Sequence, residues 1–372
     1  MTFLGLLAHN VWRRRLRAVV TAVAVAIGVT AVLALGVLTS SLRDTAVSVL
    51  QIGKADFTVS QKGASDILYS TISKQEIDSM RATKGVASAI GVFVQTGKIN
   101  ADHPFFLEVG MQPADEVPYG VQVVAGRSFT KTATNEIMLG WRAAKDYGVG
   151  VGGKFKIEER TFRVVGIFST NVSIADEGGM FPLAELQAWH TLPGVYTLAV
   201  VRVDPHAKVA AIRRSIEKTN PRLATVKSES EFGRVDRNLV LITAANVGGS
   251  ILALFIGATG VMNTSLLSFY ERIREFGLLR AAGWNRRRLF GLVIGEALFV
   301  SLIGAAAGIG IGFGAVALLS RLPDLRGVFH PVYHTAIFGR ALGFAFGMAV
   351  LGALYPAIQA ARLSPLVALQ HE

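Results

Sequence analysis

Four stretches of this sequence carry almost no charge, and each is long enough to cross a lipid bilayer. Ala18–Leu42 runs for 25 residues, Asn238–Tyr270 for 33, Leu289–Ser320 for 32 with Glu296 as its one charge, and Ala341–Ala361 for 21. A helix of about 20 apolar residues spans ~30 Å of hydrocarbon. Lipid admits only elements whose backbone groups are all paired internally, so the sequence predicts four transmembrane helices. The composition agrees. The chain is 51% hydrophobic and 17% charged, with a mean hydropathy of +0.44, against about 25% charged residues in an ordinary soluble domain. It contains no cysteine, which excludes a disulfide framework, a thiolate zinc site and a cysteine nucleophile.

Arg13, Arg14, Arg15 and Arg17 precede the first window, as in a secretory or twin-arginine signal. Signal cores run ~7–15 residues, so the longer window reads as a retained anchor. The net charge of +12 raises the question of nucleic acid, and its placement answers it. Arg43–Arg237 holds 24 Lys and Arg against 21 Asp and Glu, whereas the other 177 residues hold 14 Arg, no Lys and 5 acids. The excess flanks the apolar windows, which marks membrane topology and argues against a nucleic-acid partner. Arginines before the first window, and at 272, 274, 280, 286, 287 and 288 between the second and third, place those segments in the cytoplasm by the positive-inside rule. The 195 residues from Arg43 to Arg237 then lie outside, with enough chain for a core of their own.

That insert mixes helix and strand patterns. Ser73-Lys-Gln-Glu76 is a capping box opening a helix. Strand-like runs occur at Ser88–Val94, Phe105–Met111 and Glu136–Leu139, with a helix at Trp141–Tyr147 ended by Gly148. Lys154–Glu158 and Phe162–Phe168 read as a hairpin. Helices are expected at Leu183–His190 and Lys208–Lys218, and strands at Tyr196–Val203 and Ala224–Lys227. The expected domain is α+β, with one βαβ-type part built from both ends of the insert and a second, β-rich part near 120–190. Helical spacing of Leu38, Leu42, Thr45 and Val49, and a polar lead at Glu229–Leu239, predict stalks running on from the first two membrane helices.

Several motifs suggest chemistry without completing it. Gly148–Lys154 matches a phosphate-binding loop except that Phe155 replaces the magnesium-binding Ser or Thr. A strand also follows where a helix is needed, so a glycine-rich turn is the reading. His330 and His334 have the spacing of a metal pair, but Pro331 interrupts the helix. Asn171-Val-Ser173 matches a glycosylation acceptor, a frequent chance pattern. No catalytic set stands out, and the chain reads as a non-enzyme with no metal site. Gly304, Gly308 and Gly312 share a face of the third membrane helix, and Gly343 and Gly347 a face of the fourth. Such spacing lets helices approach closely. Glu296 is costly in lipid unless paired or near water, which makes it a candidate intramembrane polar site.

The segment Glu271–Arg288 is the most informative. Ile273, Phe276, Leu279 and Arg280 follow helical spacing, Gly283 can end the helix, and Asn285 can cap the next. A short helix of mixed charged and apolar character on the basic side is suited to a partner's groove, with Phe276 and Leu279 expected to dock. Arg272-x-Arg274-Glu-Phe-Gly-Leu-Leu-Arg-Ala-x-Gly283 resembles the hallmark run of the MacB/FtsX-like (type VII) ABC permeases. Gly260-Val-Met-Asn263, Glu296 and the closing Tyr355-Pro-Ala-x-x-Ala-Ala-x-x-x-Pro365-x-x-Ala-Leu369 are similar to further motifs of that family. Gly126-Arg127 and Val164-Val-Gly-Ile167 resemble, more weakly, its periplasmic core domain.

The resemblance implies a membrane α-helical fold with four transmembrane helices and a large extracytoplasmic α+β domain inserted between helices 1 and 2. The expected layout is a cytoplasmic amphipathic N-terminal helix (1–17), membrane helices at 18–42, 238–270, 289–320 and 341–361, and the outer domain with stalk ends at 43–237. A cytoplasmic coupling helix (271–288), an extracytoplasmic loop (321–340) and a cytoplasmic tail (362–372) complete it. The protein would lie in the inner or plasma membrane of a bacterium, with both termini cytoplasmic. It would couple ATP hydrolysis by a separate ATPase, which holds the ATP and Mg, to movement of the outer domain. Glu271, Arg272, Arg274, Glu275, Phe276, Leu278, Leu279 and Arg280 would receive the force. Expected partners are that ATPase, a second permease copy or paralogue, membrane lipid, and an extracytoplasmic cargo or adaptor. The work would be export or extraction of a hydrophobic molecule, peptide, lipid or lipoprotein. The alternative is a transmembrane sensor or regulator that activates an outer partner, such as a cell-wall hydrolase, without moving cargo.

Overall fold

The computed structural model describes residues 15–50, 55–100, 103–322, 329 and 331–364, apart from the side chains at 46, 47, 49, 50 and 229. The helix expected before residue 15, His330 and the tail beyond Ser364 lie outside the described residues. The chain divides into two compact units. The first holds residues up to Ser40, Thr243–Leu319 and those from Pro331 on, and the second holds Ser41–Ile242 and Ser320–His330.

Helix α1 (Arg15–Leu50) opens the described chain. The second unit then contains β1 (Phe57–Gln61), β2 (Ile72–Ser73), α2 (Lys74–Arg81), β3 (Val86–Gly97), β4 (Phe106–Met111), α3 (Glu116–Tyr119), β5 (Gln122–Gly126) and β6 (Glu136–Gly140). It continues with α4 (Trp141–Tyr147), β7 (Lys154–Ile157), β8 (Arg160–Ser169), α5 (Ser173–Asp176), β9 (Gly179–Pro182), α6 (Leu183–Trp189), β10 (Val195–Tyr196), β11 (Leu198–Val203), α7 (Val209–Thr219) and β12 (Leu223–Val226).

The two expected parts of this domain are not separate. One sheet runs in the order β12-β1-β11-β3-β4-β9-β6-β8-β5, with β7 on β8. The long strand β3 joins its halves: residues 86–92 pair with β11, and Phe93–Gly97 pair with β4. Apart from the exposed edge strand β5, apolar clusters lie on both faces of the sheet. On β11, Ala199 and Val201 enter one apolar cluster, while Leu198 and Val200 enter the other, as strand alternation requires. Helices α2 and α7 cover the first cluster with Ile77 and Met80, and with Ile212 and Ile216. Each such side chain contributes about 1.5–3 kcal/mol by leaving water. The Ser73–Glu76 capping box is present: the Ser73 hydroxyl accepts from Glu76 N, and the Glu76 carboxylate accepts from Ser73 N at 2.8 Å. Gly126 (φ +76°) pairs with Gly166, and a Cβ on either would strike the opposing backbone.

The expected helical lead over Glu229–Leu239 is interrupted. A 3₁₀ turn spans Glu229–Arg234, and α8 (Arg237–Glu271) begins afresh beyond Asp236. Asp236 causes the restart, since its carboxylate accepts from Leu239 N at 2.9 Å and so satisfies an amide that a helix start leaves unpaired. The turn is fastened by Arg234, which donates to both oxygens of Glu217 on α7 at 3.0 and 2.9 Å, and by Arg213 to Glu231 at 2.6 Å.

The first unit is helical. After α8 come α9 (Ile273–Ala281), α10 (Arg286–Leu319) and α11 (Thr335–Arg362). α1, α8, α10 and α11 are long and apolar enough to cross a membrane. Gly304, Gly308 and Gly312 face α1. A Cβ at Gly308 would lie 2.7 Å from Ala26 O, and one at Gly304 2.6 Å from Ala22 O. Thr30 on α1 also donates to Gly308 O at 2.9 Å. On α11, Gly347 approaches Leu254, whereas Gly343 meets nothing within 4 Å. Gly352, which the spacing did not single out, sits against Ala258 and Val261 of α8.

Candidate functional site

The chain breaks helical geometry for one residue, Arg272 (φ −111°, ψ 14°), between α8 and α9. Gly283 then takes φ +91°, closing α9, and Asn285 Oδ1 accepts from Arg288 N at 2.8 Å to start α10. The result is a short helix between two long ones, with sharply different faces.

The inner face is buried within the chain. Phe276 is 1% exposed and packs in a cluster with Phe269, Leu289, Leu292, Ala357 and Ala360. Its ring stacks on Phe269 at 6.0 Å. Leu279 packs against the same cluster. Phe276 is therefore spent on internal packing and is not the docking residue its spacing predicts. Helical spacing cannot tell which of two apolar faces the rest of the chain will cover.

Arg272 anchors this face. Its Nη1 donates to both oxygens of Glu296 on α10, at 2.8 and 2.7 Å, and its Nε donates to Glu275 at 2.8 Å. The guanidinium also lies over the Phe276 ring at 5.0 Å. Burial alone would push the Arg272 pKa down; Glu296 and then Glu275 more than offset it, and the group stays above its ordinary value. Arg272 and Glu296 entered the sequence reading in separate roles, and the structure makes them partners. Arg17, which that reading used only for topology, forms an ion pair with Glu271. Beside it Thr21 donates to Thr264 at 2.7 Å, joining α1 to α8. A cavity of about 80 Å³ borders these groups.

The outer face of α9 presents Arg274, Glu275 and Leu278, with Leu278 59% exposed. Arg280 turns back, donating from Nη1 to Trp284 O at 3.0 Å. Of the eight residues expected to receive force, Arg272 and Phe276 are thus internal, Glu271 pairs with Arg17, and Arg274, Glu275 and Leu278 make the accessible patch. The arrangement holds no nucleophile beside a base, and among the described residues no group of side chains is set to hold a metal. What it does hold is an ion pair and packed rings that join α9 to α8 and α10. Gly148 takes φ +65° at the end of α4, and strand β7 follows the glycine-rich turn, so no helix N-terminus faces that loop.

Comparison with known proteins accounts for both units. The MacB-like periplasmic core domain family matches residues 18–219, and the FtsX-like permease C-terminal family matches residues 247–365. The uncharacterized ABC transporter permease YknZ of Bacillus subtilis is 34% identical over 144 residues, which is 38% of this chain and 34% of YknZ. The uncharacterized permease MJ1507 of Methanocaldococcus jannaschii is 23% identical over 84% of this chain and 77% of its own length. The macrolide export ATP-binding/permease protein MacB of Wolinella succinogenes is 27% identical over 78% of this chain and 46% of MacB. The chain thus spans about a third of YknZ and under half of MacB. One domain family covers more than half of the sequence and the other most of the remainder, and this multi-pass membrane protein belongs to the MacB/FtsX-like family of ABC transporter permeases.

Proposed function

We propose that this permease takes force from a separate cytoplasmic ATPase at the outer face of α9 and delivers it to the sheet domain on the opposite side of the membrane. The observation that carries the reading is the two-sidedness of α9. Arg272 and Phe276 bolt one face to α10 and α8, while Arg274, Glu275 and Leu278 are exposed on the other. A push on that face reaches α10 through a charge-assisted pair and buried rings, both short-range and stiff. α1 supports transmission, being unbroken from Arg15 to Leu50. The arginines of Glu271–Arg288 support a cytoplasmic α9 by the positive-inside rule, with the sheet domain outside. A second permease copy or a paralogue completes the transporter, and ATP and Mg sit on the ATPase. Export or extraction of a hydrophobic molecule, peptide, lipid or lipoprotein is the work proposed.

The test uses Leu278→Asp combined with Arg274→Glu. Both positions are exposed, so membrane insertion should match the wild type. The wild-type chain should purify with an ABC ATPase and hydrolyse ATP, and the double variant should lose both. Undiminished ATPase recovery with the variant, or none with the wild type, would overturn the docking assignment.

A further inference from the structure

A cavity of about 520 Å³ opens in the second unit where α1 ends and α8 begins. Its size is that of a small-molecule site, ~300–1,000 Å³. The walls include Val94, Leu107, Leu198 and Leu239. Phe105 and Ile242 also line it and remain 43% and 38% exposed.

Among the described residues, the acids Asp66, Asp146, Glu177 and Asp236 line this cavity, with His103 beside them and no Lys or Arg, in a chain where Lys and Arg outnumber Asp and Glu by 38 to 26. The acids sit in two groups. Asp236 is 7% exposed. Its segment is held to that of Asp66 by Arg237 N to Ala64 O and Asn238 N to Ser65 O, at 3.0 and 2.9 Å. Burial, and with it the charge of Asp66, pushes the Asp236 carboxyl up against the pull of the Leu239 amide. In the other group, burial and then the charges of Asp146 and Glu177 push the Tyr147 hydroxyl up to about 12. Like charges beside apolar walls destabilise one another, and a cation seated between them reverses the sign.

We propose that this cavity binds an apolar molecule carrying an amine or guanidinium cation, its body against Leu107 and Leu198 and its cation between the Asp66–Asp236 pair. The apolar walls supply affinity through area removed from water, and the carboxylates select the charge of the head. An anionic amphiphile would bring a third negative charge to the pair, and a neutral one would leave the pair unrelieved. The inference names a ligand for the sheet domain and stands apart from docking at α9.

The test is made on the full chain in lipid nanodiscs without ATPase, so that its outcome is separable from that of the coupling reading. The probe is a dansyl group on an octyl chain ending in a primary amine, compared with counterparts ending in a carboxylic acid and an alcohol. Empty nanodiscs supply the background. Saturable binding of the amine is expected, about tenfold or more tighter than the acid or the alcohol, a decade being ~1.4 kcal/mol. Asp66→Asn with Asp236→Asn keeps an oxygen for the amides of Leu68 and Leu239 that the two aspartates now serve. It should weaken amine binding about tenfold and leave the alcohol unchanged. Asp146→Asn on α4 should give a smaller loss in the same direction. Binding that ignores the charge of the head, no saturable amine binding, or binding unchanged in both variants would overturn the proposal.

Discussion

Arg272, at the junction of α8 and α9, shares one guanidinium nitrogen between both carboxylate oxygens of Glu296, 24 positions later on α10. The side chains are 7% and 17% exposed. A pair this enclosed is costly to assemble, and removing one partner strands the other charge. The pair is therefore best understood as fixing the position of α9, with net stabilisation secondary.

The first prediction follows from that asymmetry. Arg272→Met or Glu296→Leu alone should each destabilise the purified chain by about 3–5 kcal/mol, read as a lower melting temperature in detergent. The double variant, with two apolar side chains facing each other, should recover most of the loss. A double variant as unstable as the sum of the singles would show that the two residues do not act as a pair.

Close packing of α1 on α10 gives the second. Gly308→Val forces a side chain onto the Ala26 backbone and the Val29 Cβ, neither of which is the far end of a flexible side chain, and should cost about 1–3 kcal/mol. Gly310→Val and Gly343→Val meet open space and should melt as the wild type does. Equal losses at all three positions would mean that glycine itself, and not this contact, sets the stability.

The third concerns acid. Burial on its own raises the Glu217 pKa. Arg234, with the Thr225 hydroxyl and amide, outweighs it and holds the carboxyl at about 2, below its model-peptide value of 4.5. A carboxyl that ionises more readily when folded stabilises the fold above its unfolded pKa. The sheet domain should therefore lose this contribution as pH falls from 4.5 to about 2. In a series of melts across that range, Glu217→Gln should show a shallower decline than the wild type. Parallel curves would contradict the assignment.

The long apolar windows made the four membrane helices legible, because nothing else satisfies their backbone in lipid. Strands such as β3 and β4 were legible from runs of β-branched and aromatic residues, and the helix at Trp141–Tyr147 from its closing Gly148. Strand β1 is buried on both faces, and so is β9, which ends in Pro182. Strand β9 does not alternate, and the alternation Phe57-Thr-Val-Ser60 in β1 is too short to stand out from its surroundings. Strand β5 is exposed throughout and had no pattern to show. The candidate site was half legible. The hallmark run marked α9, but local spacing contains nothing about which face of a helix meets the rest of the chain. Phe276 was therefore expected to dock although it is core. The link between Arg272 and Glu296, and that between Arg17 and Glu271, join residues far apart in sequence. Single-sequence periodicity is blind to such pairs. The helical lead over Glu229–Leu239 failed at Asp236, whose capping carboxylate ends one element and begins another.

The central claim is that α9 and the sheet domain lie on opposite sides of the membrane. The chain has no cysteine, so single cysteines introduced at the exposed positions Lys156, on β7, and Ala282, just after α9, can be labelled with a membrane-impermeant maleimide. In intact cells, Lys156→Cys should label and Ala282→Cys should label only after lysis. Labelling of both before lysis, or of Lys156→Cys only after it, would place the input and the output on one side and contradict the account.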